Sequence, residues 1–279
     1  MSTVQITASE INKLRQATGA GMMDCRKALT ETNGDFEAAI DWLRKQGQKV
    51  AAKRSDREAK EGVVIAQTNN DNTIGYIVCV SSETDFVAKN AEFVAFAKSI
   101  ADAAVENNVK SMEDLNNTAI NGTKISDLIN DKLAAIGEKI GLTRFERLDA
   151  PYVASYIHGA NRMGVLVGLS EEAPEAGKDV AMQIAAMNPV AIDQSSVPAD
   201  TIERERAIVT EQLQQDPKMA GKPQEMIAKI AEGKLNAFFK EQTLLAQPFV
   251  KDGGKSVGDY LKSVSPNLLV TEFKRVAVG

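Results

Sequence analysis

The sequence has 279 residues, of which 43% are hydrophobic and 25% are charged, a composition typical of a folded protein and not of a disordered one. This length is large for a single compact core and predicts two or more folded units. The formal net charge of −5 argues against a general binder of nucleic-acid backbones, which carries a basic surplus, so no direct nucleic-acid contact is expected.

Residues 1–48 are predicted to form a bundle of three short helices. Thr7 and Glu10 have the spacing of a capping box at the start of the first helix. The second helix is expected from about 22 to 32, with its apolar side chains on one face. A third helix follows, and Gly47 is predicted to end it.

Beyond the bundle, residues 49–61 are highly charged and poor in large apolar side chains. They are predicted to be a linker, with coil and helix both left open. The remainder is divided into a first core subdomain, 62–150, and a second, 151–279, because the sequence repeats itself.

The repeat is the most informative structural pattern in the sequence. Gly75–Ser81 resembles Gly164–Ser170 at an offset of 89 residues, and each segment has a strand before it, a helix after it and a closing strand. We therefore predict an α+β fold with two antiparallel three-stranded sheets, each covered by helices, in a pseudo-two-fold pair. The predicted strands are 62–67, 75–81 and 144–148 in the first copy, and 153–158, 164–170 and 272–276 in the second.

The second copy contains an insertion, residues 200–245, that is predicted to be an antiparallel helical hairpin. Two helical stretches are separated there by Asp-Pro and Gly-Lys-Pro, which break helices. A spacer and a contact arm are equal alternatives for its role. The apolar seam between its helices is predicted from Ile202, Val209, Ile227, Ile230 and Phe238.

Three features favour a cytoplasmic protein without membrane contact. Cys25 and Cys79 make neither a disulfide framework nor a metal-binding spacing, as is typical of a reducing compartment. The first residues lack the basic and apolar segments of a secretory signal. No apolar run reaches the ~20 residues that span a bilayer.

The sequence gives little support for an enzyme. It has one histidine, His158, and no recognisable Ser-His-Asp, Cys-His or multi-histidine metal pattern. Gly19-Ala20-Gly21 is not followed by the Gly-Lys-Ser/Thr of a phosphate-binding loop. We therefore expect no catalytic residues, no metal site and no cofactor.

The segment Ser81–Asn90 stands out because it has Asp85 and Phe86 between a strand and a helix that should begin near Ala91. The matching segment of the second copy, Ser170–Ala176, has no aromatic residue. The residue pattern alone favours Phe86 in the core beneath its own helix and Asp85 as a turn or capping residue. A partner contact is the alternative.

Four segments, in order along the chain, resemble the elongation factor Ts family of translation factors. They are Thr18–Leu29, Thr84–Lys89, Ser155–Gly159 and Gln247–Val250. The resemblance covers essentially the whole chain. It implies that the three-helix bundle is similar to ubiquitin-associated (UBA) domains, and that a duplicated α+β core with a helical hairpin follows.

The resemblance implies guanine-nucleotide exchange on the GTPase elongation factor Tu, without covalent chemistry. In that family an Asp-Phe loop enters the partner beside its magnesium and phosphate site, which here implies the residues Thr84, Asp85, Phe86 and Val87. Further implied partner contacts, each with core packing as its alternative, are Met22, Met23, Arg26, Ile136, Gly137, His158 and Val250. Homodimerisation, through the hairpin, is left open.

Two features differ from the family's pattern. Arg26 stands where relatives often have lysine, which keeps the charge but changes the hydrogen-bonding geometry. The sequence stops after its last predicted strand, so the carboxy-terminal helical module of many bacterial relatives is expected to be absent. The rival functions are a UBA-type adaptor, whose binding would ignore nucleotide state, and an unrecognised enzyme.

Overall fold

The computed structural model describes residues 6–53, 56–219 and 221–279. Positions 1–5 of the predicted bundle, 54–55 of the predicted linker and 220 of the predicted hairpin lie outside the described residues. Over the described ranges the chain has mixed α and β structure, as predicted, with small antiparallel sheets. In these ranges no helix combines the length and the apolar character needed to cross a membrane.

The helices are α1 (Ala8–Thr18), α2 (Met22–Glu31), α3 (Phe36–Lys53), α4 (Asp85–Ala88), α5 (Ala91–Glu106), α6 (Met112–Asn117), α7 (Ile125–Ile136), α8 (Pro174–Met187), α9 (Ala199–Gln215), α10 (Gln224–Gln242) and α11 (Val257–Val264). The strands are β1 (Glu61–Thr68), β2 (Ile74–Ser82), β3 (Ala119–Ile120), β4 (Thr123–Lys124), β5 (Gly141–Asp149), β6 (Tyr152–His158), β7 (Met163–Leu169), β8 (Pro248–Phe249), β9 (Asp252–Ser256) and β10 (Val270–Ala277).

Helices α1 to α3 share a small core that includes Leu14, Cys25 and Leu29. The predicted capping box at the start of α1 is confirmed. The Thr7 hydroxyl oxygen accepts from the Glu10 amide at 3.3 Å, and the Glu10 carboxylate accepts from the Thr7 amide at 2.8 Å. This box fixes where the first helix begins.

The prediction that α3 ends at Gly47 is wrong, because the helix continues to Lys53. A Cβ atom on Gly47 would lie 3.0 Å from the Cβ of Ala134 in α7. The glycine therefore lets two helices pack closely and does not end one. The first part of the predicted linker, to residue 53, is accordingly helical.

The core contains the two predicted antiparallel sheets. The first has the order β1-β2-β5 and the second has the order β6-β7-β10. All six predicted strands are confirmed, each slightly longer or shifted by a residue. The central strands β2 and β7 are the two segments that the repeat identified.

Both faces of each sheet are buried, and successive side chains along a strand point to opposite faces. In β2, Tyr76 and Val78 pack against α5 and α7, whereas Ile77 packs against the second sheet. In β7, Val165 packs against α8, whereas Leu166 packs against the first sheet. The core is therefore layered as helices, sheet, sheet and helices.

Glycines at matching positions of the repeat allow the two sheets to approach. A Cβ atom on Gly75 would lie 2.7 Å from side-chain atoms of Leu166 and Val153. A Cβ atom on Gly164 would lie 2.8 Å from the side chain of Val64. Separations this short do not occur for real Cβ atoms, so both positions require glycine at the observed sheet spacing.

The insertion in the second half consists mainly of α9 and α10, which pack on each other. Val209 of the predicted seam is buried, as is Leu213 one turn further along α9. Leu235 and Phe239 of α10, which the prediction did not include, form a buried cluster with Ala191 and Val197. Leu235 and Phe239 are four residues apart and share one helix face. The predicted seam residues Ile202 and Phe238 are half-buried and pack against this cluster. Ile227 and Ile230 are also half-buried.

Candidate functional site

The Asp-Phe loop connects β2 to α5 and contains the single-turn helix α4. Thr84 caps α4, and its hydroxyl oxygen accepts from the Val87 amide at 3.5 Å. Asn90 caps α5, and its side-chain oxygen accepts from the Glu92 amide at 2.8 Å. Ala88 is buried in the first core. The loop is thus held at both ends and along one side.

Phe86 is 84% exposed, so the prediction that it lies in the core is wrong. Ala88 is buried in the core instead, and the half-buried Val87 packs against it. Successive helical residues are turned by about 100°, so a turn that directs positions 87 and 88 towards the core directs position 86 into solvent. An exposed aromatic ring on an anchored turn is typical of a contact surface.

Asp85 is the first residue of α4, and Thr84 rather than Asp85 is the capping residue. The Lys89 ammonium donates to the Asp85 carboxylate at 2.6 Å. This hydrogen bond is the main reason that the pKa of Asp85 is lowered from its usual value. The loop therefore presents a carboxylate that stays ionised, next to an exposed aromatic ring.

Two glutamates bind the start of the loop to the end of α7. The Glu138 carboxylate accepts from the Thr84 amide at 3.0 Å and from the Thr84 hydroxyl at 2.8 Å. The Glu83 carboxylate accepts from the Lys139 amide at 2.6 Å. Glu138 thus accepts from the amide of the residue after Glu83, and Glu83 accepts from the amide of the residue after Glu138.

A cleft of about 920 Å³ separates the amino-terminal helices from the first half of the core. Its lining includes Phe86, Phe96 and Ile136 from the core and Trp42 from α3. Ile136 is 36% exposed, and Gly137, with a φ of +78°, ends α7 beside it. The structure therefore brings the predicted contacts Phe86 and Ile136 to one cleft, and Gly137 directly follows Ile136.

The predicted contacts on α2 lie near this cleft but do not line it. Met22, Met23 and Arg26 are exposed in the first turns of α2. The preceding residues Gly19 and Ala20 do line the cleft. Core packing is therefore wrong as an alternative for both methionines.

The other two predicted contacts belong to the second half of the core. His158 is exposed at the end of β6, and its Nδ1 lies 2.9 Å from the Tyr156 hydroxyl. Val250 is exposed in the turn between β8 and β9, where its amide donates to the Gln183 side chain at 2.8 Å. This turn lies on the helix-covered side of the second sheet, away from the first sheet.

One ion pair joins the turn after His158 to the base of the Asp-Phe loop. Arg162 donates to Glu61 at 2.5 Å, and Glu61 is paired with Ser82 across the first sheet. The pKa of Arg162 is raised, chiefly by the hydrogen bond to Glu61 and to a smaller extent by the charge of Asp85. The His158 turn and the Asp-Phe loop therefore lie at the same end of the two sheets.

Comparison with known proteins identifies the family. The family model described as Elongation factor TS matches residues 83–279, a span that begins at the Asp-Phe loop. This chain belongs to the elongation factor Ts family. The elongation factor Ts of Christiangramia forsetii is 50% identical over 278 residues, which cover 99% of both chains. The elongation factor Ts of Flavobacterium psychrophilum is 48% identical over 277 residues, covering 98% of this chain and 99% of that protein.

The elongation factor Ts of Amoebophilus asiaticus is also 48% identical, over 278 residues, and again nearly the full length of both chains is covered. The resemblance that the four sequence segments showed is therefore confirmed. Sequence reasoning did not single out Glu83 or Glu138. No local pattern could have identified them, since their contacts join residues 54 and 56 positions apart.

Proposed function

We propose that this chain is the guanine-nucleotide exchange factor of elongation factor Tu and promotes release of GDP during translation elongation. The Asp-Phe loop enters the partner beside its magnesium and phosphate site. The observation that carries this proposal is the 84% exposure of Phe86 on a turn that is held at both ends and along one side. An exchange factor of this kind performs no covalent chemistry and requires no cofactor.

The mechanism depends on opposed binding. If the factor lowers the partner's affinity for nucleotide by some ratio, nucleotide lowers the partner's affinity for the factor by the same ratio. Phe86 would fill an apolar crevice, and the Asp85 carboxylate would repel phosphate and disturb a bound Mg²⁺.

The remaining predicted contacts provide the affinity in this proposal. The amino-terminal helices act as a UBA-like bundle that binds the partner through Met22, Met23 and Arg26. Ile136 and Gly137 extend the surface around the Asp-Phe loop. In the second core subdomain, His158 and Val250 contact another part of the partner, and the α9–α10 hairpin is the contact arm.

The test measures release of a fluorescent GDP from purified elongation factor Tu in the cytoplasmic range of pH and salt. We expect strong acceleration at substoichiometric amounts of this protein, and tighter binding to nucleotide-free than to GDP-bound partner. Equal binding to both forms without acceleration would identify an adaptor instead. Loss of acceleration in Asp85→Ala/Phe86→Ala, with binding retained, would support the role of the loop.

A further inference from the structure

We infer that Glu83 and Glu138 form a clasp that positions the Asp-Phe loop, with Glu138 as the main positioning residue for exchange. The inference rests on the proposed function for its effect on exchange, and on the geometry of the clasp for its effect on the loop. Neither residue contacts nucleotide in this account. Both act by fixing where Phe86 stands.

The geometry of the clasp is reciprocal. Glu138 binds the amide and the hydroxyl of Thr84, whereas Glu83 binds the amide of Lys139, at the distances given above. The hydroxyl of Thr84 that donates to Glu138 also accepts the amide of Val87, so it joins the clasp to the turn of α4. Hydrogen bonds to a carboxylate are shorter and stronger than those between neutral groups.

The turn that carries Phe86 needs such support because it is short. Helix α4 has four residues, and an isolated turn of this length is unstable in water. In the second copy of the repeat, residues 170–173 between β7 and α8 form no helical turn. Helix α8, the counterpart of α5, follows directly, and its N-cap Ala173 makes no side-chain hydrogen bond. The copy that has the exposed aromatic is thus the one that has the clasp.

The clasp also connects the loop to the segment before β1. Arg57 donates to Glu83 at 3.1 Å, and the Lys139 ammonium donates to the Arg57 carbonyl at 2.8 Å. Lys139 follows α7, the same helix on which α3 packs through Gly47. The loop and the amino-terminal helices are therefore held against a common support, α7.

The experiment compares the concentration dependence of GDP release for wild type and Glu138→Ala, with Glu106→Ala as the control. Glu106 is exposed at the end of α5, and its substitution removes the same charge. In Glu138→Ala we expect a maximal release rate about tenfold lower, the effect of losing a hydrogen bond to a charged group. The concentration for half-maximal release should change less than about twofold, because the rest of the interface is intact.

Glu138→Gln is the conservative variant and should recover part of the rate. Its amide oxygen can accept from the Thr84 hydroxyl, whereas its amide nitrogen cannot accept from the Thr84 backbone. A Glu138→Ala protein with the wild-type maximal rate would overturn the inference. So would a variant that binds the partner more weakly but reaches the wild-type maximal rate, because Glu138 would then be a direct contact.

Amide hydrogen exchange tests the clasp without the partner. Glu138→Ala should remove protection at the Thr84 amide, and Glu83→Ala should remove it at the Lys139 amide. Unchanged protection at both amides would overturn the inference. If wild-type protein fails to release GDP from elongation factor Tu, the proposed function fails, and the two amides still decide whether the clasp positions the loop.

Discussion

Replacing Phe86 by alanine tests the proposed function most directly, and the structure sets the expected magnitude. Full burial of a phenylalanine side chain contributes about 1.5–3 kcal/mol. The side chain is 84% exposed in the free protein. A complex that buries this exposed part is therefore stabilised by 84% of that free energy, about 1.3–2.5 kcal/mol. At about 1.4 kcal/mol per tenfold, Phe86→Ala should slow GDP release by roughly 8- to 60-fold.

The same substitution seven residues later provides the matched control. Phe93 is 2% exposed in the first core, so Phe93→Ala should cost about 3–5 kcal/mol of folding free energy. For a chain of this size, that cost lowers the Tm by about 6–20 °C. Phe86→Ala should leave the Tm within about 1 °C, because the lost ring makes few contacts in the free protein.

The assay combines stopped-flow release of fluorescent GDP with thermal unfolding of the free protein and an equilibrium binding measurement. The reasoning predicts slower release, unchanged Tm and a complex that still forms for Phe86→Ala. Release at the wild-type rate would refute the role of the ring. Complete loss of binding would show that Phe86 anchors the complex and does not act by insertion.

Further predictions concern charge and packing. Lys89→Met removes the hydrogen bond that lowers the pKa of Asp85, so this pKa should rise in a carboxyl NMR titration. As the pH is lowered, nucleotide exchange by the variant should therefore be lost at a higher pH than in the wild type. An unchanged pKa of Asp85 would contradict this reasoning. Gly47→Val should separate α3 from α7 and increase protease cleavage of the amino-terminal helices. A Cβ atom on Gly233 would have no neighbouring atom within 4 Å, so Gly233→Ala should stabilise α10 by up to about 1 kcal/mol in denaturant unfolding. Gly164→Val should lower the free energy of unfolding by about 1–3 kcal/mol or more by overpacking the sheet interface; wild-type stability would refute the close approach.

Local patterns in the sequence were sufficient for much of the fold. The Thr7–Glu10 capping box fixed a helix start, because both of its hydrogen bonds lie within one turn. The offset between Gly75 and Gly164 identified the central strands of both sheets. These predictions needed only residues that are close in sequence or are repeated.

Predictions failed where a distant element decides the outcome. A glycine such as Gly47 is typical of a helix end, but here it allows α3 to pack closely against Ala134 in α7. The sequence does not reveal this distant contact. Phe86 has the pattern of a core residue, and only the inward direction of its neighbours exposes it. The partners of Glu138 are also distant, so the positioning part of the candidate site could not be predicted.

The tandem arrangement of the two sheets has a consequence for symmetry. A symmetric dimer of one α+β unit must present two identical copies of every loop. When both units belong to one chain, one loop can keep Asp85 and Phe86 while its counterpart, Ser170–Ala176, has no aromatic residue. In the described part of the chain, the two halves of the repeat therefore differ at this loop, and only the first presents an exposed aromatic ring there.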